Sequence, residues 1–533
     1  MRMKKHTALL LAGTCCIAAA NAQIKLGEGQ LSGSFETNTI YYVDDSAIGS
    51  KLDDHFGSNN YLKVDYSYKH FSAGIQADAY LPALQGYELG QQPGSYNFYV
   101  SSKYIQWVDD NFEVLVGDIF DQFGNGLVFR SFEDRQLGIN TSLEGIRGIY
   151  RFGNYVTVKG LYGRPRLYTR YADAWARGAD LSVSLGDIFG FNNVLLSLEG
   201  SYMNRHEALD KEADKTDYFA SVGMTSPDLN IYSGRVNFNW KGLSLRGEYA
   251  SKGKDLPTAV ADRAVEGRAI LGEIGYNYKT FSVAGTFRTL DNMGTLISLY
   301  GTGTGNMLNY LPALTRQYTY MLANLNPYQV NVEGEIGGQI DINYSLRNKR
   351  DRYRYWNFHG NLSNFYTLRG EQAKSGNREL LWLDMNFDVE RQWNRKLKTS
   401  LLFSYQEWNP DHGYSHRTYV SNIIVADVTY KFNRKKSLRA EVQYLLSNDY
   451  EGDWVAGLVE LGLAPHWSIF VSDMYNQGST KINYYNGGFS YTKKHTRIQL
   501  SYGRNRAGYI CSGGVCRYSP AYTGCNLAIT SSF

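Results

Sequence analysis

Residues able to do chemistry are few in this chain and lie far apart. Of nine histidines, only those in Asp411-His412-Gly-Tyr-Ser-His416 sit close together beside a carboxylate. Such a trio could ligate a cation, yet it reads more simply as a polar outer loop. Acidic pairs such as Asp53-Asp54 read as solvated loop charge. Neither a Gly-x-Ser-x-Gly elbow nor a His-Glu-x-x-His helix occurs. No catalytic residue, metal or cofactor is assigned, and the chain is not expected to be an enzyme. Cys511-Ser-Gly-Gly-Val-Cys516 is different, because two thiols separated by four residues in an exported protein form a structural disulfide readily. Gly513 and Gly514 would permit its tight turn. Cys525 is left over as a small apolar residue.

The densest mixture of charge, glycine and aromatic side chains falls in residues 121–138. This stretch follows no helical or strand period and is too aromatic for a solvated loop. It separates two alternating stretches, 111–120 and 142–152. Gln122, Arg130, Glu133, Asp134 and Arg135 are among its polar members, and the charged ones of these could pair with Arg147 and Arg151 on the following strand. Gly124 and Gly126 would let the backbone turn tightly against a wall.

The elements that must position these groups are strands. Residues 1–22 read as an export signal, with Arg2, Lys4 and Lys5 before an apolar stretch and Ala20-Asn21-Ala22 as a cleavage site. Cys15 follows Thr14 inside that apolar stretch, which argues against a lipoprotein. Loss of the leader takes the formal net charge of +4 close to neutrality, so nucleic acid is not an expected partner. After the leader no run of about 18 apolar residues appears. The 44 tyrosines and 54 glycines against 10 prolines suit a strand-rich chain with aromatic girdles. Mean hydropathy is −0.40, which a barrel tolerates because lipid-facing and water-facing residues alternate.

That alternation is explicit. In residues 437–444, Leu438, Ala440, Val442 and Tyr444 oppose Arg439, Glu441 and Gln443, and residues 61–68, 243–249 and 427–432 repeat the pattern. Short connections such as Lys69-His70 and Lys241-Gly242 alternate with long ones such as 45–58, 204–229 and 289–335. The expectation is an all-β fold: one transmembrane antiparallel β-barrel over residues 23–533, of about 24 strands (range 22–26). Outer-membrane lipid and lipopolysaccharide would surround it. Phe533, ending an alternating strand, resembles the signal read by the outer-membrane barrel assembly machinery.

A barrel of roughly 22 or more strands has a lumen too wide for wall side chains to fill. Residues 121–138 are expected to fold inward as a plug. Residues 308–325 are expected to form one short helix in the long 289–335 connection, with Leu311, Leu314, Tyr318, Met321, Leu322 and Leu325 on one face. Pro312 would stand in its first turn and Pro327 beyond its end.

Residues 117–139 (Gly-Asp-Ile-Phe-Asp-Gln-Phe-Gly-Asn-Gly-Leu-Val-Phe-Arg-Ser-Phe-Glu-Asp-Arg-Gln-Leu-Gly-Ile), with Asn-Tyr-Leu-Pro-Ala-Leu-Thr-Arg-Gln from Asn309 and the Arg506–Arg517 stretch, resemble an uncharacterised outer-membrane barrel family of Bacteroidota. The resemblance covers essentially the whole mature chain. It implies a barrel in the outer membrane without known catalytic residues. Three functions follow in order: a plugged or gated channel, an accessory barrel of an export system such as type IX secretion, and, a distant third, an outer-membrane enzyme. Basic turns at Arg434–Lys436 and Lys493–His495 could meet components of a secretion system.

Overall fold

The computed structural model describes residues 24–90, 95–348, 351, 353–369, 376–512 and 515–533. The expected leader at residues 1–22 and the turn glycines Gly513 and Gly514 lie outside the described residues. Twenty-four antiparallel strands follow one another around a ring, from Gly29–Val43 to Tyr522–Ser532. These two pair along Ser34↔Ser532 to Val43↔Thr523, which closes the sheet on itself. Phe533 extends the seam: it exchanges two backbone hydrogen bonds with Gly33, each 2.9 Å. A β-carbon at Gly33 would lie 2.4 Å from the Phe533 ring, so the terminal aromatic needs a glycine opposite it.

The strands alternate as their sequences do. On Lys436–Ser447, Val442 is 61% exposed while Glu441 and Gln443 are buried. Ile75, Ile105, Val116, Ile274, Leu401 and Val471 are exposed on the same outer surface. Near the short turns this surface carries Trp107, Tyr150, Trp240, Tyr278, Phe432 and Trp467, an aromatic girdle of the kind found at a lipid interface. Two-residue turns at Lys69-His70 and Lys241-Gly242 lie at that end, and the opposite end carries connections as long as residues 292–333. An apolar outer face and an inner face carrying most of the polar residues account for the alternation.

The helix expected over residues 308–325 is absent; only the 3₁₀ turn Leu322–Asn324 forms there. Its apolar residues do not serve one face. Leu308 and Leu311 join one buried cluster, while Leu322 and Leu325 join another. One helical face would not serve two separate clusters, and Pro312 removes a backbone donor. The short helix of a long loop lies instead at Ala213–Ser221, where Phe219 packs edge-on against Tyr300 at 5.4 Å.

At the long-loop end Asp45 ties the seam together. Its carboxylate accepts from Arg504 Nε at 2.7 Å and Nη2 at 3.0 Å, and from Thr523 Oγ1 at 2.6 Å. Burial raises the Asp45 pKa, but the hydrogen bonds from Arg504 and Thr523 outweigh it and hold the carboxyl below its ordinary value. A depressed folded pKa stabilises above the unfolded value of about 4 and loses that contribution as pH falls through the folded value. Asp45→Asn should therefore lower the melting temperature at neutral pH and flatten its decline below about pH 4, read by thermal unfolding of the detergent-solubilised barrel. On the outer belt, Val442→Arg should cost about 2–4 kcal/mol, read by denaturant titration in phospholipid vesicles.

Candidate functional site

The bore is occupied by two segments, residues 120–142 and 292–333. The first begins at the end of Phe112–Ile119, where the chain leaves the wall. Asp121 accepts from Lys159 Nζ at 2.7 Å and from Arg147 Nη1 at 3.1 Å. Arg147 also pairs with Glu113, and Arg151 lies 3.7 Å from the same carboxylate. All four wall residues project inward from Phe112–Ile119, Leu143–Phe152 and Val156–Leu167.

The following turn reaches strands further round the wall. Gly124 (φ +51°) lies over the Arg235 guanidinium, which a β-carbon would approach to 2.5 Å. Asn125 Nδ2 donates to Glu248 at 2.9 Å. Arg235 is itself held by Asp180 at 2.6 Å and Glu199 at 2.8 Å, so four adjoining strands form one ion-paired ladder beneath the turn. Gly126 (φ +89°) lets Tyr310 close on the backbone. Phe123, Leu127, Val128 and Phe129 are buried in a core enclosed by the ring. The segment then returns to the first strands: Arg135 donates to Glu36 at 2.8 Å and Gln76 at 3.1 Å and stacks on Tyr61. A chain that touches inward residues on Gly29–Val43 and on Leu243–Asp255, nearly opposite in the ring, lies within the bore.

The second segment is anchored at its root by Arg288, which pairs with Glu335 at 2.5 Å and donates to the Pro312 carbonyl. Tyr328 donates to the other oxygen of Glu335 at 2.5 Å. Further round the wall, Tyr318 Oη donates to Asp384 at 2.8 Å, and Arg316 pairs with Asp388 at 2.5 Å. Asp388 also holds His359, whose other ring nitrogen meets Asp341, both at 2.9 Å. Leu322 N donates to Gln443 at 2.9 Å and the Ala323 carbonyl accepts from Gln406 at 3.0 Å. The two segments are stitched together where Tyr310 N meets the Gly126 carbonyl, Arg130 N meets that of Leu308, and Asn309 Nδ2 meets that of Leu127.

The sequence-assigned residues thus divide. Arg147 and Arg151 face the segment but pair with Glu113, Arg147 reaching Asp121 as well, rather than with Glu133 or Asp134. Glu133 accepts from Gln76 and neighbours Arg135; Asp134 accepts from Leu137 N within its own turn. Arg130 stacks between Phe132 and Tyr310, and Gln122 bonds the Gly124 carbonyl. Cys511 and Cys516 are joined across the hairpin Gly508–Ser512/Val515–Ser519, leaving Cys525 free. Arg517 on that hairpin donates to the Gln136 carbonyl, linking the last loop to the first segment. Asp411, His412 and His416 do not converge: His416 pairs with Glu379, and Asp411 with Ser415. Sequence reasoning missed the ladder of Asp180, Arg235 and Glu248, although inward Arg and Glu on neighbouring strands were a readable signal.

These features define a transmembrane antiparallel β-barrel with a filled bore. The chain belongs to the family of unknown function DUF6029, whose model matches residues 3–533. No curated protein sequence matches it. Among solved structures, the P pilus usher PapC translocation pore is 10% identical with a TM-score of 0.45, covering 94% of this chain and 99% of that one. The siderophore receptor PirA from Pseudomonas aeruginosa is 9% identical with a TM-score of 0.42, covering 94% and 80%. The copper transporter OprC is 9% identical with a TM-score of 0.41, covering 96% and 82%. At these identities the likeness concerns fold alone.

Arg147→Ala would remove one partner each from Glu113 and Asp121 while Arg151 and Lys159 remain beside them, at a cost of about 1–3 kcal/mol. Limited proteolysis of the folded barrel should then cut within residues 121–138 faster than in the wild type. An unchanged cleavage rate would show that Arg147 does not hold this segment.

Proposed function

We propose that the protein is an integral outer-membrane barrel acting as a gated channel, with residues 120–142 and 292–333 as its gate. The observation that carries this reading is the way the bore is filled. At 24 strands the wall cannot close its own lumen, and the two occupying segments meet it through ion pairs and hydrogen bonds beside two buried apolar clusters. Polar contacts exchange with water at modest net free-energy change, so the stretch around Arg316 and Tyr318, which reaches the wall at Asp388 and Asp384 by such contacts, is the part that can be displaced. The apparent leader supports export, and the three sequence stretches support a Bacteroidota outer membrane. Neither reading invokes catalysis.

One observation favours a second reading, an accessory barrel of an export system. At the short-turn end, exposed Lys431, Arg434, Lys435 and Lys436 border a cavity of about 570 Å³, with exposed Lys493 and Lys494 on a turn nearby. This basic face suits an acidic partner protein.

Planar-bilayer recording separates the two. The wild type should conduct rarely, and Arg316→Ala combined with Tyr318→Phe should raise open probability at least about tenfold, since a tenfold shift corresponds to roughly 1.4 kcal/mol of anchoring. A wild type that conducts through an open bore, or a double variant that is correctly folded yet silent, would overturn the gated-channel reading. Co-purification of a partner lost on neutralising Arg434, Lys435 and Lys436 would support the accessory reading.

A further inference from the structure

At the long-loop end a cavity of about 380 Å³ opens above the second bore segment, whose residues Leu325, Asn326, Pro327, Tyr328 and Gln329 line it. Its wall is aromatic. Trp382 and Trp408 stand directly opposite each other on neighbouring strands, on the inward-facing side. Tyr328 packs on Trp382 at 5.7 Å and on Phe365 at 5.2 Å. Across the cavity Tyr509 and Tyr518 meet edge-on at 5.7 Å, on the hairpin clamped by the Cys511–Cys516 disulfide. Tyr450 also contributes.

Three donor groups of the cavity share one property. Trp382 Nε1, Trp408 Nε1 and Arg506 Nε are shielded from solvent and have no hydrogen-bond partner among the described residues. Trp382 as a whole is 4% exposed. An indole N–H and a guanidinium N–H can only donate, and a buried donor without an acceptor is costly. These sites therefore suit a ligand rich in acceptors. The ligand need not be charged, because the Arg506 guanidinium is already paired with Glu451 at 2.7 Å. Unpaired donors disfavour a cation, and no other arginine or lysine lines the cavity to draw an anion.

We propose that this cavity binds a neutral sugar, its ring stacked on the tryptophan and tyrosine faces and its hydroxyl oxygens accepting from the unpaired indole and guanidinium N–H groups, which lie just behind the lining and turn toward the sugar as it binds. Aromatic faces with a few placed polar groups are the ordinary make-up of a small-ligand pocket, and the volume lies at the low end of the usual range of roughly 300–1,000 Å³. That is room for a mono- or disaccharide, not a long chain. As a binding site the assignment stands alone; as the substrate class of a channel it rests on the gated-channel reading.

The test is calorimetric titration of the full-length barrel in detergent with maltose, cellobiose and N,N′-diacetylchitobiose, with choline and benzoate as cationic and anionic ring-contact controls. At least one sugar should bind saturably at millimolar or lower concentration. Trp408→Phe, which keeps a ring but removes the N–H, should weaken that binding about five- to tenfold, and Trp408→Ala should weaken it further. Reduction of the Cys511–Cys516 disulfide should also weaken it while heat-modifiable mobility on gels stays that of a folded barrel. Failure of all three sugars, preference for choline or benzoate, or unchanged affinity in both Trp408 variants would overturn the proposal. Sugar binding without bilayer current would count against the channel alone, and current without sugar binding against the sugar alone.

Discussion

The backbone ladder between Gly29–Val43 and Tyr522–Ser532 decides what the rest of the chain must do. Within lipid no water reaches an open strand edge, and each unsatisfied peptide group there costs several kcal/mol, so the sheet must close. Closure at 24 strands fixes a bore that wall side chains cannot fill. The seam is finished by groups outside the ladder as well. Phe533 pairs with Gly33 at one end, and Asp45 bridges to Arg504 and Thr523 at the other. Chain termini distant in sequence are thus joined by backbone hydrogen bonds with an ion pair above them.

A wide bore divides the inner wall into arcs of different chemistry. Around Glu113, Arg147, Lys159, Arg235 and Glu248 the wall is charged, and residues 120–142 answer it with Asp121, Asn125 and two glycines that let the backbone approach. Further round, Leu402, Ile423, Val425 and Leu445 face inward, and Leu322, Ala323 and Leu325 pack on them. The charged arc specifies where a segment sits, because a misplaced one leaves buried charge unmatched. The apolar arc adds non-directional burial. Between them, backbone contacts of Gly126 with Tyr310 and of Leu308 with Arg130 make the two segments one body.

Barrel architecture is legible in the sequence because lipid and water impose a period of two that nothing else in the chain imitates. Leu438, Ala440 and Val442 against Arg439, Glu441 and Gln443 read the same way in both. The inward course of residues 120–142 leaves a trace as well, being aromatic and charged without a period. What misleads is residues 308–325, whose leucines recur at helical spacing by serving two separate clusters along an extended path. A clue lay elsewhere: Ile423-Ile424-Val425 breaks alternation, since both Ile423 and Val425 turn inward to receive the segment. A lapse of period in a wall strand marks where the bore is occupied. Partners such as Asp121 with Lys159, or Arg316 with Asp388, depend on register around the ring, which local sequence does not carry.

The aromatic cavity and the second bore segment share residues, and this has a mechanical consequence. Tyr328 forms part of the cavity floor, stacks on Trp382, and gives its hydroxyl proton to Glu335. Glu335 is the partner of Arg288, and Arg288 holds the Pro312 carbonyl at the start of the bore crossing. A ligand that shifts the Tyr328 ring must stretch or relieve the hydrogen bond to Glu335, which has no solvent to replace it. Two arrangements of one polar chain would then differ in free energy by the ligand's differential contact with Tyr328. A coupling of that kind requires a discrete alternative for the segment, and the Tyr318–Asp384 hydrogen bond and the Arg316–Asp388 ion pair provide the sites at which it can let go.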